Sequence, residues 1–221
     1  MARLDYQQQL TDLRSDVVSM SELVLERYNT ALTVMETKDE SIAREVIDGD
    51  DEINELYLDL EGDCIGLFAL QQPVAGDLRF IASSFKIVTD LERIGDLATN
   101  LAGYAIDAEQ DRYPEIDLIR IGNETGRMVM EAIDAYEDDD SALARRIAAR
   151  DDDIDQLCED AGETVVEDLL RTEYSDQTDA VLEDVSRLLL TVRDLERVGD
   201  HAVNICARTV YMTDHDTELI Y

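Results

Sequence analysis

The eleven residues from Asp90 to Asn100, DLERIGDLATN, recur as DLERVGDHAVN from Asp194 to Asn204. Eight of the eleven positions are identical, at an offset of 104 residues. An acidic composition alone does not explain this recurrence, because arginine, glycine and asparagine also stay in register. The chain is therefore predicted to contain two copies of one unit, residues 1–109 and residues 110–221.

Long segments with apolar residues at helical spacing predict helices throughout the chain. Its 221 residues include only two prolines and ten glycines, and no tryptophan. The predicted helices cover residues 6–36, 40–70, 74–108, 116–136, 142–171 and 178–212. Thr37–Glu40 has the form of a capping box for the second of them, and the tail after Met212 is predicted to fray. Short turns favour antiparallel neighbours, so the predicted fold class is all-α, two tandem three-helix bundles in an elongated rod.

The composition is strongly acidic, with 53 aspartates and glutamates, 19 basic residues and a net charge of −34. Such a surface repels itself in dilute buffer but is tolerated in molar salt, where the Debye length falls to about 3 Å. This indicates a halophilic protein. No basic patch is available to neutralise phosphates, which argues against nucleic acid as a partner. No apolar run or signal core is present, so a cytoplasmic protein without membrane insertion is expected.

Two pairs of acidic residues interrupt apolar helix faces. Glu92 and Asp96 lie four residues apart and continue the stripe that contains Val88. Glu196 and Asp200 occupy the corresponding places in the second copy. Burying unpaired carboxylates is expensive, so these positions call for a partner or a metal ion.

The predicted hairpins place a second pair of polar residues opposite each of these acidic pairs. A turn centred near Pro73 places residues 50 and 54 opposite 92 and 96, and a turn near residues 175–176 places 151 and 155 opposite 196 and 200. Oxygen ligands suit hard or borderline ions such as Mg²⁺, Mn²⁺, Ca²⁺ or iron, and carboxylates can bridge ions into a multinuclear cluster. The candidate metal ligands are Asp50, Asn54, Glu92, Asp96, Asp151, Asp155, Glu196 and Asp200.

The remaining residues of the repeat are predicted to have structural roles. Arg93 and Arg197 each follow an aspartate three residues earlier and are expected to form local ion pairs with it. Gly95 and Gly199 cost helix stability, which favours a role in close helix approach.

Cysteine and histidine spacing indicates neither redox nor di-iron chemistry. Cys64, Cys158 and Cys206 form no CxxC motif and are predicted to be small buried hydrophobes. His201 has no counterpart in the first copy, and no ExxH motif is present. The usual ligand set of a di-iron oxidase is therefore missing.

The segment Leu70–Arg79, LQQPVAGDLR, followed by Asp90–Asp96 and its second copy at Asp194–Asp200, resembles the PhoU family of phosphate-uptake and phosphate-signalling regulators. The resemblance covers essentially the whole chain. It implies two tandem three-helix bundles whose E(D)xxxD motifs bind metal, as iron or zinc clusters. Asn54 departs from the pattern, since a carboxylate is expected there, and the second copy lacks the Gln-Gln-Pro-Val turn.

The resemblance also implies a function. A family member of this kind is a metal-binding, non-enzymatic negative regulator that represses phosphate uptake and signalling when phosphate is plentiful. It would contact the high-affinity phosphate ABC transporter, at its ATPase subunit, and in bacteria a sensor kinase, and it would form a homodimer. The acidic composition suggests a halophilic archaeal-type member.

Three other hypotheses remain open at this point. The chain could be an accessory regulator of a different, Pit-type phosphate permease. It could be a di-metal oxidase or phosphohydrolase. It could also be a passive helical scaffold whose acidic pairs only reflect a salt-rich cytosol.

Overall fold

A computed structural model describes residues 2–70, 74–108, 113, 115–171 and 178–220 of the chain. Over these residues the molecule is an elongated all-α bundle without strands, which confirms the predicted fold class. The described part contains the helices α1 (Ala2–Thr37), α2 (Glu40–Asp48), α3 (Asp50–Leu70), α4 (Ala75–Asp107), α5 (Leu118–Glu137), α6 (Ser141–Ala148), α7 (Asp151–Arg171) and α8 (Thr178–Asp214). The predicted turns at 71–73 and 175–176, and the boundary between residues 109 and 110, lie outside the described residues. The division into two units at that boundary stays a prediction.

The prediction of one continuous second helix in each copy was wrong, because both of these helices are interrupted. At the first interruption the N–H of Glu52 donates to the carbonyl of Gly49, three residues earlier. The same three-residue bond joins the N–H of Asp153 to the carbonyl of Arg150 in the second copy. Each interruption starts a new helix, so that the candidate ligands Asp50 and Asp151 stand in its first turn.

The start of α2 and the end of α8 also differ from prediction. Asp39, rather than Thr37, caps α2, and its side chain accepts from the N–H groups of Ser41 and Ile42. The tail after α8 is docked rather than frayed in the described residues up to 220. Arg145 contacts Asp214 and Asp216 at 2.7 and 2.9 Å, and Leu219 packs against the core.

One hydrophobic core runs through both copies. Tyr28 of α1 is fully buried and shares a 2.7 Å hydrogen bond with Thr125 of α5. Ser83 of α4 donates to the carbonyl of Arg208 on α8 at 3.2 Å. The first helices of the two copies therefore pack on each other, and so do the last helices.

The contact between α4 and α8 is reciprocal. Asn204 donates to Asp90 at 3.1 Å, and Asn100 donates to Asp194 at 3.5 Å. Each copy thus uses the first residue of the repeated motif to bind the last residue of the other copy's motif, as expected for a two-fold relation. The motif therefore joins the two copies as well as carrying the acidic pairs.

The three cysteines are free and buried, as predicted. Burial raises the pKa of each thiol to about 12. These thiols consequently stay protonated and weakly nucleophilic at neutral pH. None of the described helices is long and apolar enough to cross a lipid bilayer.

Candidate metal sites

The second copy brings its four predicted carboxylates together between α7 and α8. Burial, together with the charges of Asp155, Asp200, Asp152 and Glu196, raises the pKa of Asp151 to about 7. Burial and the charge of Asp155 also raise the pKa of Glu196 and of Asp200. The predicted hairpin alignment therefore gathers these residues into one electrostatically coupled group, the second cluster.

One oxygen of the second cluster lacks a hydrogen-bond donor. Asp151 Oδ1 is buried and has no partner. It lies against α8 at Gly199, where a Cβ atom would come within 3.1 Å of it. Gly199 therefore provides the space for a carboxylate beside the helix backbone, and an orphaned carboxylate oxygen is costly unless a cation or proton compensates it.

The first copy assembles the corresponding residues between α3 and α4, the first cluster. Burial raises the pKa of Glu92, which Asp96 and Asp50 raise further and Arg93 opposes. Burial and the charge of Asp50 likewise raise the pKa of Asp96. The first cluster is thus coupled in the same way as the second.

The two clusters differ in the hydrogen bonds to their first aspartate, which is Asp50 in the first cluster and Asp151 in the second. Asn54 donates to Asp50 Oδ2 at 2.8 Å, and Thr99 donates to Asp50 Oδ1 at 3.4 Å. The equivalent positions in the second copy are Asp155 and Val203, whose side chains have no donor when the aspartate is ionised. The second cluster therefore carries more negative charge and has fewer internal donors.

The arginines of the motif make local ion pairs, although one of the predicted partners was wrong. Arg197 contacts Asp194 at 3.5 Å, as expected. Arg93 instead contacts Glu92 and Asp96, at 3.4 and 3.6 Å. Asp90, its predicted partner, is engaged across the copies by Asn204 and by His201.

Gly95 and His201 complete the motif. A Cβ atom at Gly95 would lie 3.0 Å from Ile53 Cδ1, so this glycine permits the close approach of α3 and α4 that was predicted. His201 Nδ1 is hydrogen-bonded to Asp90 Oδ1 at 2.9 Å. The histidine therefore belongs to the contact between copies, a role that no local sequence signal indicated.

The donor set of both clusters suits a hard or borderline cation. Over the residues that the structure describes, no three acidic, histidine or cysteine side chains converge closely enough to hold a metal ion as they stand. The chemistry of the second cluster nevertheless fits one, because its carboxylates raise the pKa of one another and one of their oxygens, Asp151 Oδ1, is buried without a donor, while Asp155 and Asp200 remain exposed to incoming ions. A cation bound there would therefore require these side chains to move closer together.

Comparison with known proteins gives one family. The PhoU domain model matches residues 17–105 and 118–209. A phosphate-specific transport system accessory protein PhoU homolog from Pseudomonas aeruginosa is 34% identical over 92% of this chain and 83% of its own length. The crystal structure of PhoU from Pseudomonas aeruginosa superposes with a TM-score of 0.86 at 33% identity, covering 96% of this chain and 100% of that one. The crystal structure of the phosphate transport system regulatory protein PhoU from Streptococcus pneumoniae gives 0.87 at 27% identity, over 96% and 98%.

Proposed function

The chain belongs to the PhoU family, and we propose that it is a non-enzymatic negative regulator of phosphate uptake and phosphate signalling. The main support for this proposal is the match of both copies to the family model, together with relatives named as accessory proteins of the phosphate-specific transport system. Because those relatives are named for a phosphate-specific transport system, we propose the high-affinity ABC-type phosphate transporter, and not a Pit-type permease, as the partner. The proposed contact is with the transporter's ATPase subunit in the cytoplasm, and a homodimer and a sensor kinase are further parts of the proposal.

This proposal is tested by binding and by uptake together. We expect the purified chain to co-elute with the ATPase subunit of the host's phosphate transporter, and deletion of its gene to raise phosphate uptake in phosphate-rich medium. The ATPase subunit of an unrelated ABC transporter is the control. If uptake were unchanged by deletion and the subunit did not bind, the regulatory function would be wrong.

We further propose that both clusters bind metal ions, with iron, zinc, manganese and magnesium as candidates. The ligands would be Glu92, Asp96, Asp50 and Asn54 in the first cluster, and Asp151, Asp155, Glu196 and Asp200 in the second. A bound cation would supply the positive charge that these carboxylates lack. The protein's contribution is to hold two helices of each hairpin so that their acidic residues face one another.

Removing one ligand charge from the second cluster should lower its metal content. We expect Asp200→Asn to reduce bound metal markedly, because one of four carboxylates in that cluster becomes neutral, while helicity is retained. Asp96→Asn, the matched change in the first cluster, should reduce metal less. Elemental analysis of the purified variants measures both, and unchanged metal content in Asp200→Asn would contradict the assignment.

The metal-free protein should become less stable as the pH rises toward neutrality. The raised pKa of Asp151 means that its ionised form is penalised in the folded state, so the penalty is full above pH 7 and disappears as the pH falls toward the ordinary value of 3.8. After allowance for solvent screening of this partly accessible group, we expect about 2 kcal/mol. Asp151→Asn should therefore stabilise the chelator-treated protein at pH 8 and flatten its pH profile.

Denaturant unfolding at several pH values measures this effect. Asp153→Asn is the matched control, because Asp153 lies exposed in the same first turn of α7. An Asp151→Asn profile that is parallel to that of the wild type would rule out a buried charge penalty at this position.

A further inference from the structure

Helix α3 turns an apolar ridge outward, away from the shared core. Leu58 is 61% exposed and Ile65 is 56% exposed. Residues 58, 62, 65 and 69 recur at spacings of three and four, so they lie along one side of the helix. We call Leu58, Gly62, Ile65 and Ala69 the α3 ridge. All four are exposed, and exposed apolar residues on one side of a helix are typical of an interaction site.

The glycines of this helix have no packing role within the chain. A Cβ atom at Gly62 or at Gly66 would meet nothing within 4 Å. Glycine in a helix interior lowers helix stability relative to alanine, so the exposed Gly62 and the half-buried Gly66 are a cost without an internal benefit. Their small size instead permits the backbone of an external element to approach the ridge closely.

The charges around the ridge define the chemistry of a partner. Helix α3 contains seven acidic residues and no lysine or arginine. Asp59, Glu61 and Asp63 flank the apolar positions of the ridge. The same face of another molecule of this protein would bring like charges together. A helix with lysine and arginine beside an apolar stripe would instead complement the acidic residues.

The second copy lacks this ridge. Val166 and Leu170 of α7 correspond to Ile65 and Ala69 and are 49% and 82% exposed, but Glu159 and Glu163 stand where Leu58 and Gly62 do. The second copy thus keeps an exposed apolar pair at one end, and only the first copy has the full set of four uncharged positions.

We propose that the α3 ridge is the docking site of an amphipathic α-helix from a partner protein, with apolar residues toward Leu58 and Ile65 and basic residues on its flanks. A helix that docks in this way presents apolar anchors at i, i+3, i+4 and i+7. The ridge runs from the middle of α3 to its C-terminal end, while Asp50 and Asn54 stand in its first turns. The proposal thus depends neither on metal binding nor on the phosphate-regulatory function.

A labelled model peptide tests the site directly. The probe is a helical peptide of leucine and lysine with leucines along one face, and fluorescence anisotropy follows its binding at the lowest salt that keeps the protein fully helical. We expect binding to the wild type and a loss of about tenfold or more in affinity for Ile65→Glu, since a buried apolar contact is replaced by a charge. Met130→Glu, at a 48% exposed position on α5, should bind like the wild type.

Gly62→Ala separates docking from folding. This change should raise the thermal midpoint, because alanine is the better helix former, and yet weaken peptide binding severalfold by obstructing the close approach. Equal binding to Ile65→Glu and Met130→Glu would overturn the proposal. So would equal binding of a scrambled peptide of the same composition, or Ile65-dependent self-association that the peptide does not displace.

Discussion

In dilute buffer at neutral pH, the protein is expected to lose most of its helical circular dichroism signal and to recover it in molar potassium chloride. The net charge of −34 arises from 53 acidic and 19 basic residues, so repulsion acts over the whole surface. The Debye length shrinks from about 10 Å at 0.1 M salt to about 3 Å at 1 M, which confines each charge to its nearest neighbours. In the two acidic clusters, burial penalises the charged forms and neighbouring carboxylates add to the repulsion.

Two controls distinguish charge screening from general stabilisation of the fold. Sucrose strengthens burial without screening charges, so it should restore less helix than salt. Mild acidification in dilute buffer should restore part of the helix, because the raised pKa values of Glu92, Asp96 and Asp151 let these groups take up protons. Full helicity in dilute neutral buffer would contradict the prediction, made from composition, of a halophilic protein.

The class of the fold and the meeting of the acidic pairs could be predicted because both follow from long-range regularities. Apolar periodicity extends over thirty residues in α4 and α8, and counting from a hairpin turn aligns Asp151 with Asp200 without any knowledge of packing. The interruptions before Asp50 and Asp151 could not be predicted in this way. At each interruption the new helix begins with a hydrogen bond between residues three apart. The apolar pattern of the sequence continues across this point and gives no sign of it.

The reciprocal bonds between copies were missed for a different reason. Asp90 and Asn204 are 114 residues apart, and their contact depends on how α4 packs against α8. A signal was nonetheless present, because the repeat retains Asp90 and Asn100 although neither belongs to a predicted metal pair. Thr99 gave no such signal, since its hydrogen bond to Asp50 occurs in the first copy alone.

The second cluster should bind metal more tightly than the first, and exchanging two residues should reverse the order. The first cluster has three charged ligands, and Asn54 and Thr99 donate to both oxygens of Asp50. The second has four charged ligands, and Asp151 Oδ1 has no donor. A cation at the first cluster must therefore displace hydrogen bonds and receives less Coulomb attraction.

We expect the double variant Asn54→Asp with Thr99→Val to raise the affinity of the first cluster by about tenfold or more, equivalent to roughly 1.4 kcal/mol. The reciprocal variant, Asp155→Asn with Val203→Thr, should weaken the second cluster by a similar factor. Titration calorimetry with Mn²⁺ and Zn²⁺ measures both, and elemental analysis gives the stoichiometry.

The same two variants should also change the stability of the metal-free protein. We expect the change in stability to have the opposite direction to the change in metal affinity. Asn54→Asp with Thr99→Val leaves Asp50 without donors beside a new charge, and should destabilise the chelator-treated protein by about 1–3 kcal/mol. Asp155→Asn with Val203→Thr should stabilise it, because a donor is supplied to Asp151 and a charge is removed. A variant that only perturbed packing would lose stability and affinity together. Equal affinity and stoichiometry in the wild type and both variants would refute the metal assignment and leave the acidic pairs as features of a helical scaffold.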